Sequence, residues 1–347
     1  MTATVSDIDG AARLLEQGKL VAFPTETVYG LGADAENPAA IARIYAAKGR
    51  PSNHPLIVHL AVDADLAYWV GAIPAQASAL IARFWPGPLT LILPRAAHIP
   101  EAVAGGQASI GVRCPSHPVA QSLLRAFKNG RGGIAAPSAN KFGRVSPTTA
   151  QHVRDEFRAE IAAGAGLDTA IAAILDGGQS EVGIESSILD LSRLATHGPV
   201  LLRPGRITEF ELAEVLGATP SVPALHDAMT PRASGTLDAH YAPRTPLAMV
   251  AGASLDTCIS QLRAAQRRVA LLHWSDRSAL LTAQSLQLPA TPEGYAHALY
   301  AALRAMDSTA ADVILVEQPL HAGGWQAIND RLRRAAFDSA GILERLL

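Results

Sequence analysis

Short apolar segments of strand length alternate along this chain with longer segments whose apolar residues recur at helical spacing. A helical pattern over residues 7–17 ends at Gly18, and a short buried strand follows at residues 20–23. Three more strands come late in the first part of the chain, at residues 172–176, 184–189 and 200–202. Because the alternation is not a strict strand–helix–strand repeat, it predicts an α/β fold built on a mixed sheet.

Capping residues mark where several helices begin. Asn37 and Pro38 predict a helix that runs to Lys48, with Asn as the cap and Pro at the first helical position. Residues 146–147 predict a second helix start, and residues 208–211 form a capping-box pattern. The other predicted elements are helices at 75–84 and from 117–118 onward, and strands at 56–60, 89–93, 109–113 and 134–136.

Proline interrupts every periodic pattern between residues 218 and 246, and we interpret this segment as an extended linker. The alternation restarts after it, with strands at 247–250, 268–273 and 313–317 and helices at 255–265, 293–306 and 326–336. The predicted organisation is a catalytic domain over 1–207, a helix and a linker or lid over 208–245, and a smaller Rossmann-like α/β domain over 246–347.

The linker is too rich in hydrogen-bonding side chains for a plain spacer, because it carries the run His240-Tyr241-Ala-Pro-Arg244. Such a segment suits a lid that excludes water from a reactive intermediate. We therefore predict that it folds over the cleft of the first domain when ligands bind, and loosens without them.

Composition limits the possible functions and the compartment. The 347 residues include 49% hydrophobic residues, and the net charge is −2, which argues against a protein that coats nucleic acid. The two cysteines form neither a metal-ligand pattern nor a disulfide framework, so a reducing compartment fits. The N-terminus lacks a signal-peptide pattern and no apolar run is long enough to span a bilayer, so we expect a soluble cytoplasmic protein.

Polar residues follow the first predicted strand and helix, at positions where α/β proteins place binding loops. Residues 23–32 read FPTETVYGLG, and residues 48–51 read KGRP. Lys48 and Arg50 flank a glycine on a turn stiffened by proline, which suits phosphate oxygens. A solvated basic turn remains an alternative for these two cations, and a turn whose threonines satisfy the backbone remains one for residues 25–27.

Further polar groups stand at the ends of predicted strands. Arg113 ends an apolar strand and must find an anion, for which a ligand carboxylate is a natural partner. His59 also ends a strand, where a satisfied structural histidine is the alternative. Small and polar residues leave other strands at 137–140, 185–187 and 203–205. The common phosphate-binding loop, the dinucleotide-binding glycine motif and a serine-hydrolase pattern are all missing from the sequence.

In this order, the segments resemble the YrdC-like superfamily, and within it the two-domain threonylcarbamoyl-AMP synthases. The matching segments are FPTETVYGLGADA, KGRPSNHPLIVHL, FWPGPLTLIL, GVRCPSHP, APSANKFGRVSPT, ESSILDLS, LLRPG and HYAPRTPL. The resemblance implies a YrdC-like twisted mixed sheet flanked by helices. It also implies synthesis of L-threonylcarbamoyl-AMP from L-threonine, bicarbonate and ATP, for modification of tRNA beside the anticodon. Mg²⁺ would accompany ATP, and tRNA threonylcarbamoyl transferase proteins would use the product.

The resemblance also assigns residues to the two substrates, and no protein side chain to a metal. Arg113 matches the residue that meets the threonine carboxylate. The residues implied around threonine are Thr27, His59, Arg113, Ser138 and Ser186. The residues implied around ATP are Lys48, Arg50, His54, Ser109, Asn140, Ser146, Arg203, His240 and Tyr241.

The chain departs from the family pattern before His240. Many two-domain relatives carry Lys-Tyr-Arg there, whereas this chain reads Gly235-Thr-Leu-Asp-Ala. A linker contact to phosphates would then rest on His240, Tyr241 or backbone groups.

Two other functions fit parts of the pattern. An RNA-binding module of the same fold is one alternative, although the acidic net charge weighs against it as the main role, and weak tRNA binding stays open. Carbamoyl transfer in hydrogenase maturation uses a similar domain, but it requires zinc-finger cysteines that a chain with two cysteines does not have.

Overall fold

A computed structural model describes residues 7–162, 169–223, 230–277, 284–321 and 323–347. The chain divides into two compact units. The first unit is Met1–Phe142 with Pro147–Thr236, and the second is Gly143–Ser146 with Leu237–Leu347. The predicted linker is thus shared between the units, and its residues 224–229 lie outside the described residues.

The first unit contains nine strands and nine α-helices among the residues that the structure describes. The strands are β1 (Leu20–Phe23), β2 (Gly30–Asp34), β3 (Ile57–His59), β4 (Leu89–Pro94), β5 (Ser109–Arg113), β6 (Ile134–Ala135), β7 (Ile171–Ile174), β8 (Ser187–Asp190) and β9 (Val200–Arg203). The helices are α1 (Ile8–Glu16), α2 (Pro38–Lys48), α3 (Leu66–Trp69), α4 (Ala75–Phe84), α5 (Pro118–Ala126), α6 (Ala150–Glu156), α7 (Arg158–Ala162), α8 (Leu194–His197) and α9 (Glu209–Leu216).

The nine strands form one mixed sheet in the order β7-β1-β2-β6-β3-β5-β4-β8-β9. The pairs β1/β7, β3/β5 and β4/β8 are parallel, and the other neighbours are antiparallel. Apolar side chains of the sheet pack against helices in two large buried clusters, one of which includes Trp69 and Phe157 and the other Phe23 and Phe127. The predicted mixed sheet flanked by helices is confirmed.

Capping interactions explain where the site-bearing helix α2 begins and ends. The Asn37 side chain accepts hydrogen bonds from the amides of Ala39 and Ala40 at 3.0 and 3.2 Å, and Gly49 ends the helix in the left-handed region at φ 63°. These caps confirm the predicted helix. They also hold Lys48 and the turn after it at a fixed place beside the sheet.

Two predicted boundaries are wrong for physical reasons. Residues 30–32 form part of β2 rather than a loop, because the glycines allow close packing: a Cβ on Gly32 would lie 2.8 Å from Phe23 and 2.9 Å from Ile134. The helix predicted from residues 146–147 begins only at Ala150. Thr149 is its cap, since the Thr149 hydroxyl accepts a hydrogen bond from the His152 amide at 3.2 Å.

The second unit is a smaller α/β domain, as predicted. Its parallel strands β10 (Leu247–Val250), β11 (Val269–His273), β12 (Ser285–Gln287) and β13 (Val313–Glu317) pair in the order β10-β13-β11-β12. Its helices are α10 (Leu255–Ala264), α11 (Pro292–Asp307), α12 (Gln326–Ala336) and α13 (Ile342–Leu346). No helix in the described parts of the chain has the length and apolar character needed to cross a membrane.

Candidate functional site

Polar side chains meet at one edge of the first unit's sheet because of the strand directions. The parallel strands β3 and β5 end at His59 and Arg113, which are register partners. Strand β4 runs antiparallel to β5 and places Thr90 opposite Arg113. Ser186 directly precedes β8, which pairs with β4, and therefore lies at the same edge. The Ser186 hydroxyl is 2.8 Å from the Thr90 hydroxyl.

An apolar floor adjoins this polar edge on the same face of the sheet, because side chains two residues apart in a strand share a face. Its members Ile57, Gly111 and Ile92 are register partners on three adjacent strands. A Cβ on Gly111 would lie only 3.2 Å from the Ile92 side chain, so a larger residue here would crowd the pocket. Residues Ser109, Ile188, Ala233 and Ser234 also line this pocket.

Arg113 is the centre of the polar edge and is 4% exposed. Its Nη1 donates a hydrogen bond to the Thr27 hydroxyl at 2.9 Å, and its Nε donates to the Gly87 carbonyl at 3.3 Å. Its Nη2 lies 2.7 Å from Oε1 of Glu26, in a fully buried ion pair. Burying an arginine in this way requires a carboxylate nearby, and Glu26 supplies one within the chain.

His59 stands beside Arg113 with its ring edge-on to Phe23. Burial, and then the neighbouring Arg113 cation, lowers the pKa of His59 from 6.5 to about 3. The ring is therefore neutral at physiological pH. Its buried Nδ1 has no hydrogen-bond partner among the described residues, so it can serve a ligand as a neutral donor or acceptor.

Lys48 lies at the end of α2 and is 2% exposed. Its ammonium group donates hydrogen bonds to the carbonyl oxygens of Ser138, at 2.6 Å, and Asn140. Burial, and then the nearby Arg50 cation, holds the pKa of Lys48 well below its ordinary value. The alternative of a solvated basic turn is therefore wrong for Lys48, since this side chain is buried.

Arg50 and Arg203 converge on Ser234, which belongs to the described part of the predicted linker. Arg50 Nη2 donates to the Ser234 hydroxyl at 3.0 Å, and Arg203 Nη1 donates to the Ser234 carbonyl at 2.8 Å. Arg203 also donates to the Ser186 carbonyl and hydroxyl, from Nε at 3.1 Å and from Nη2 at 3.0 and 3.2 Å. Residue 234 thus joins two cations of the site through oxygen atoms, the type of acceptor that a phosphate would offer.

The structure brings eleven of the fourteen predicted site residues into the first unit. Within it, His54 is half-buried against Phe142 with ring centroids 5.5 Å apart, and Ser109 begins β5 beside the apolar floor. The residues gathered in this unit are Thr27, Lys48, Arg50, His54, His59, Ser109, Arg113, Ser138, Asn140, Ser186 and Arg203.

The other three predicted site residues belong to the second unit. Ser146 is fully buried, and its carbonyl accepts a hydrogen bond from Arg304 at 3.5 Å. Tyr241 is also buried, with its ring stacked on Tyr300 at 5.7 Å and the Arg331 guanidinium 5.5 Å from its ring centre. The predicted ATP contacts of Ser146, His240 and Tyr241 stay predictions.

Sequence reasoning did not select three residues that the geometry places in the site. Glu26 was visible in the polar run after β1, but its neighbours Thr25 and Thr27 looked equally suitable. Thr90 was hidden within an apolar strand, where period-two alternation was its only signal. Ser234 had no signal, because its role depends on where the linker lies.

The first unit is thus an α/β domain built on a mixed sheet, in which the buried cations Arg113 and Arg203 stand at strand ends. A family model described as telomere recombination, covering the Sua5, YciO and YrdC proteins, matches residues 13–205. A second model, described as threonylcarbamoyl-AMP synthase, C-terminal domain, matches residues 207–337. The chain belongs to this family, in its two-domain form, and is an enzyme of the nucleotidyltransferase type.

Similar proteins cover nearly the whole chain. The threonylcarbamoyl-AMP synthase of Pyrococcus abyssi is 38% identical, over 94% of this chain and 93% of the relative. The Bacillus subtilis synthase is 41% identical, over 94% of this chain and 92% of the relative. The crystal structure of P. abyssi Sua5 complexed with L-threonine has a TM-score of 0.84 at 37% identity, covering 96% of this chain and 94% of that one.

Proposed function

We propose that this chain converts L-threonine, bicarbonate and ATP into L-threonylcarbamoyl-AMP, pyrophosphate and water, in the first step of threonylcarbamoyladenosine modification of tRNA. The observation that carries the proposal is the buried Arg113 cluster, which lies on the same sheet face as the apolar floor and as Arg203, the register partner of Ile188. An amino-acid carboxylate and a nucleotide triphosphate are the anions that such an arrangement suits.

The reaction requires positioning more than a covalent nucleophile. The threonine amine attacks bicarbonate to give a carbamate, and a carbamate oxygen then attacks the α-phosphorus of ATP while pyrophosphate leaves. Both steps gather negative charge in a small volume. Fixed cations that need no reorganisation lower the barriers of such steps.

Threonine is assigned to the polar edge of the sheet. Arg113 binds its carboxylate, while Thr27 and Ser186 supply hydroxyls within reach of Arg113 and Arg203. Neutral His59 and Ser138 complete the proposed set. The L-threonine complex of P. abyssi Sua5 supports this assignment, because that protein shares the fold over nearly all of this chain.

ATP is assigned to Lys48, Arg50 and Arg203, with His54, Ser109, Asn140, Ser146, His240 and Tyr241. Mg²⁺ accompanies its phosphates. The described residues include no group of three or more His, Cys, Asp or Glu side chains able to hold a metal ion, so the phosphates and water would supply most Mg²⁺ ligands. Chelation by EDTA should stop pyrophosphate release, and excess Mg²⁺ should restore it.

The described linker residues 230–236 form the lid in this proposal. The Arg232 amide donates to Gln107 at 2.8 Å, and the Ser234 hydroxyl donates to the Pro55 carbonyl at 3.1 Å, beside the apolar floor. Trypsin cleavage after the exposed Arg232 tests the lid. Slower cleavage with ATP and threonine supports closure over the ligands. Equal rates would reduce the segment to a tether, and faster cleavage would show that phosphates displace Ser234 from the two arginines.

The product is unstable in water, so proteins that transfer the threonylcarbamoyl group to tRNA must act in the same compartment, which we take to be the cytoplasm. The direct test of the function is incubation with L-threonine, ¹³C-bicarbonate and ATP, followed by mass spectrometry. The expected product is an acyl-adenylate that carries one ¹³C atom. ATP consumption without a labelled adenylate would contradict the proposal.

A further inference from the structure

Four buried polar atoms around Arg113 have no hydrogen-bond partner among the described residues. They are both carboxylate oxygens of Glu26, Nη2 of Arg113 and Nδ1 of His59. The Glu26 and Arg113 side chains are each 4% exposed, so bulk water does not satisfy them. Native structures rarely leave such groups unsatisfied, and a cluster of them calls for an explanation.

The ion pair joins two of these four atoms, Arg113 Nη2 and Glu26 Oε1, and leaves Glu26 Oε2 and His59 Nδ1 without a hydrogen-bond partner among the described residues. Arg113 Nη2 and Glu26 Oε1 are 2.7 Å apart, yet the geometry between them is not that of a hydrogen bond. The other contacts of Arg113 fix its orientation, through Thr27 on Nη1 and Gly87 on Nε. The Glu26 backbone is also fixed, because its carbonyl accepts a hydrogen bond from the Val182 amide at 2.7 Å. The Arg113 guanidinium and the Glu26 backbone are therefore held in place, and the Glu26 carboxylate has hydrogen-bonding capacity left over.

The leftover capacity has the charge pattern of an α-amino acid. Unsatisfied N–H groups on Arg113 suit a carboxylate, and unsatisfied carboxylate oxygens on Glu26, in contact with that arginine, suit an ammonium group. In an α-amino acid the carboxylate and the ammonium group are attached to the same carbon atom, so one molecule can bind both Arg113 and Glu26. A lone carboxylate ligand would leave Glu26 unsatisfied and would be repelled by it.

We propose that Glu26 is a catalytic residue that binds the α-ammonium group of the threonine substrate and accepts a proton from it. This inference rests on the proposed function and adds to it a residue for the substrate amine. Arg113 then serves two carboxylates, that of Glu26 and that of the substrate.

One ammonium N–H bond breaks and its proton passes to a Glu26 oxygen, which leaves a neutral amine with a free electron pair. That pair forms the N–C bond to bicarbonate, and the bicarbonate hydroxyl leaves as water with a second proton from nitrogen. Ammonium, bicarbonate and carboxylate thus become carbamate, water and carboxylic acid, and the acid returns its proton to solvent before the next turnover.

The test compares two ligands with two proteins by calorimetry. The ligands are L-threonine and 3-hydroxybutyrate of matching configuration, which has the carboxylate and hydroxyl but lacks the amine. The wild-type protein should prefer threonine on the order of 10- to 100-fold, the range of a charge-assisted hydrogen bond. In Glu26→Gln, which keeps the side-chain shape, this preference should largely disappear, and ATP affinity should be unchanged.

A kinetic readout separates proton transfer from binding alone. At saturating substrates, product formation by Glu26→Gln should rise with pH as the amine loses its proton unaided, while Glu26→Asp, which retains a carboxylate, should follow the wild-type profile. Parallel profiles for Glu26→Gln and wild type would overturn the proton-accepting role.

Other outcomes are equally decisive. If Glu26→Gln does not fold, the ligand pair still tests the wild-type protein, and equal affinities for threonine and 3-hydroxybutyrate would overturn the proposal. A preference for threonine that is the same in wild type and Glu26→Gln would also overturn it. Failure of the wild type to bind threonine or to form the adenylate would instead contradict the proposed function itself.

Discussion

The two units each contain a buried Arg–Glu ion pair next to the end of a strand, but the pairs differ in how their atoms are satisfied. In the first unit, the Glu26 carboxylate is paired with Arg113 at 2.7 Å, and both carboxylate oxygens lack hydrogen bonds among the described residues. In the second unit, Glu317 ends β13 and is paired with Arg277 at 2.9 Å.

Glu317 is fully satisfied by its own domain. It accepts hydrogen bonds from the amides of Trp274 and Ser275, both at 3.0 Å, from the Ser275 hydroxyl at 2.6 Å, and from Arg277. Burial alone would raise the pKa of Glu317, but the hydrogen bonds from Arg277 and Ser275 outweigh it and keep the pKa below its ordinary value. Arg277 also binds Asp256 and the Gly252 carbonyl, both at 2.8 Å.

The difference shows that a buried ion pair at a strand end does not by itself mark a binding site. Open α/β sheets bind ligands at the carboxyl ends of their strands, and Glu317 stands at such a position. Its carboxylate oxygens are already hydrogen-bonded within the chain, so no acceptor is left for a ligand. The pair instead joins the end of β13 to the residues that follow β11. The pair in the first unit retains unsatisfied donors and acceptors, and we therefore place the substrate there.

The largest expected effect is on the stability of the second unit. Glu317→Ala removes one partner of a buried, hydrogen-bonded pair and should cost about 3–5 kcal/mol in the free energy of unfolding. Denaturant unfolding of this variant measures the loss, with the exposed Glu293→Ala as a matched control. Threonine affinity should be unchanged wherever the variant remains folded. A folded variant with weakened threonine binding would make the second pair part of the site.

Arg113→Ala should have the largest effect on substrate binding. Loss of this charge should weaken threonine binding by about 2–5 kcal/mol, because the substrate carboxylate loses its buried partner. ATP affinity should change far less. Calorimetry checks both ligands, with Arg125→Ala as the control because that arginine is half-exposed in the same unit. Unaltered threonine affinity in a folded Arg113→Ala protein would remove Arg113 from the site.

The double substitution Lys48→Ala, Arg50→Ala should act on nucleotide binding and on the chemical step together. We expect the rate of pyrophosphate release to fall by roughly 10²–10³-fold, the usual result of losing a fixed group that stabilises transition-state charge. The exposed Lys19→Ala provides the control. Pyrophosphate release at the wild-type rate would mean that neither cation serves the phosphates.

The pH dependence of the free energy of unfolding should reveal that His59, beside Arg113, is neutral in the folded protein. His59 has a folded-state pKa of about 3 against 6.5 unfolded, so its contribution is fully present above pH 6.5 and is lost as pH falls from 6.5 towards 3. Subtracting the unfolding curves of His59→Gln from those of the wild type isolates this contribution from that of the carboxylates. A difference that does not vary across this range would contradict the buried, neutral assignment.

Local signals in the sequence predicted most of the fold and part of the site. Helix α2 and the capping box of α9 were predictable because Asn37, Thr208 and Glu211 act on backbone groups a few residues away. Strand β2 was missed because two glycines hid its pattern, and their purpose becomes visible only when Phe23 packs on them. The ring partners of Tyr241 were likewise unpredictable, since they lie far along the chain.

Satisfaction of hydrogen bonds was the property that the sequence could not predict. Arg113 and Arg203 were recognisable as cations at strand ends, yet Glu317 occupies an equally suggestive position at the end of β13. Only the three-dimensional neighbours distinguish the Glu26–Arg113 pair, which keeps unsatisfied atoms, from the Glu317–Arg277 pair, which does not. The same reason explains why Glu26 was passed over in favour of its hydroxyl neighbours.

Amide hydrogen exchange with and without L-threonine compares the two regions in a single measurement. We predict slower exchange with threonine in peptides that carry residues 26–28 and 111–114, and no change in peptides that carry residues 273–277 and 315–318. Saturating threonine is needed, because the stabilisation on binding grows with the ligand concentration relative to Kd. Protection confined to the second pair, or absent from residues 26–28 and 111–114 when threonine is bound, would contradict the claim that the unsatisfied pair is the substrate site.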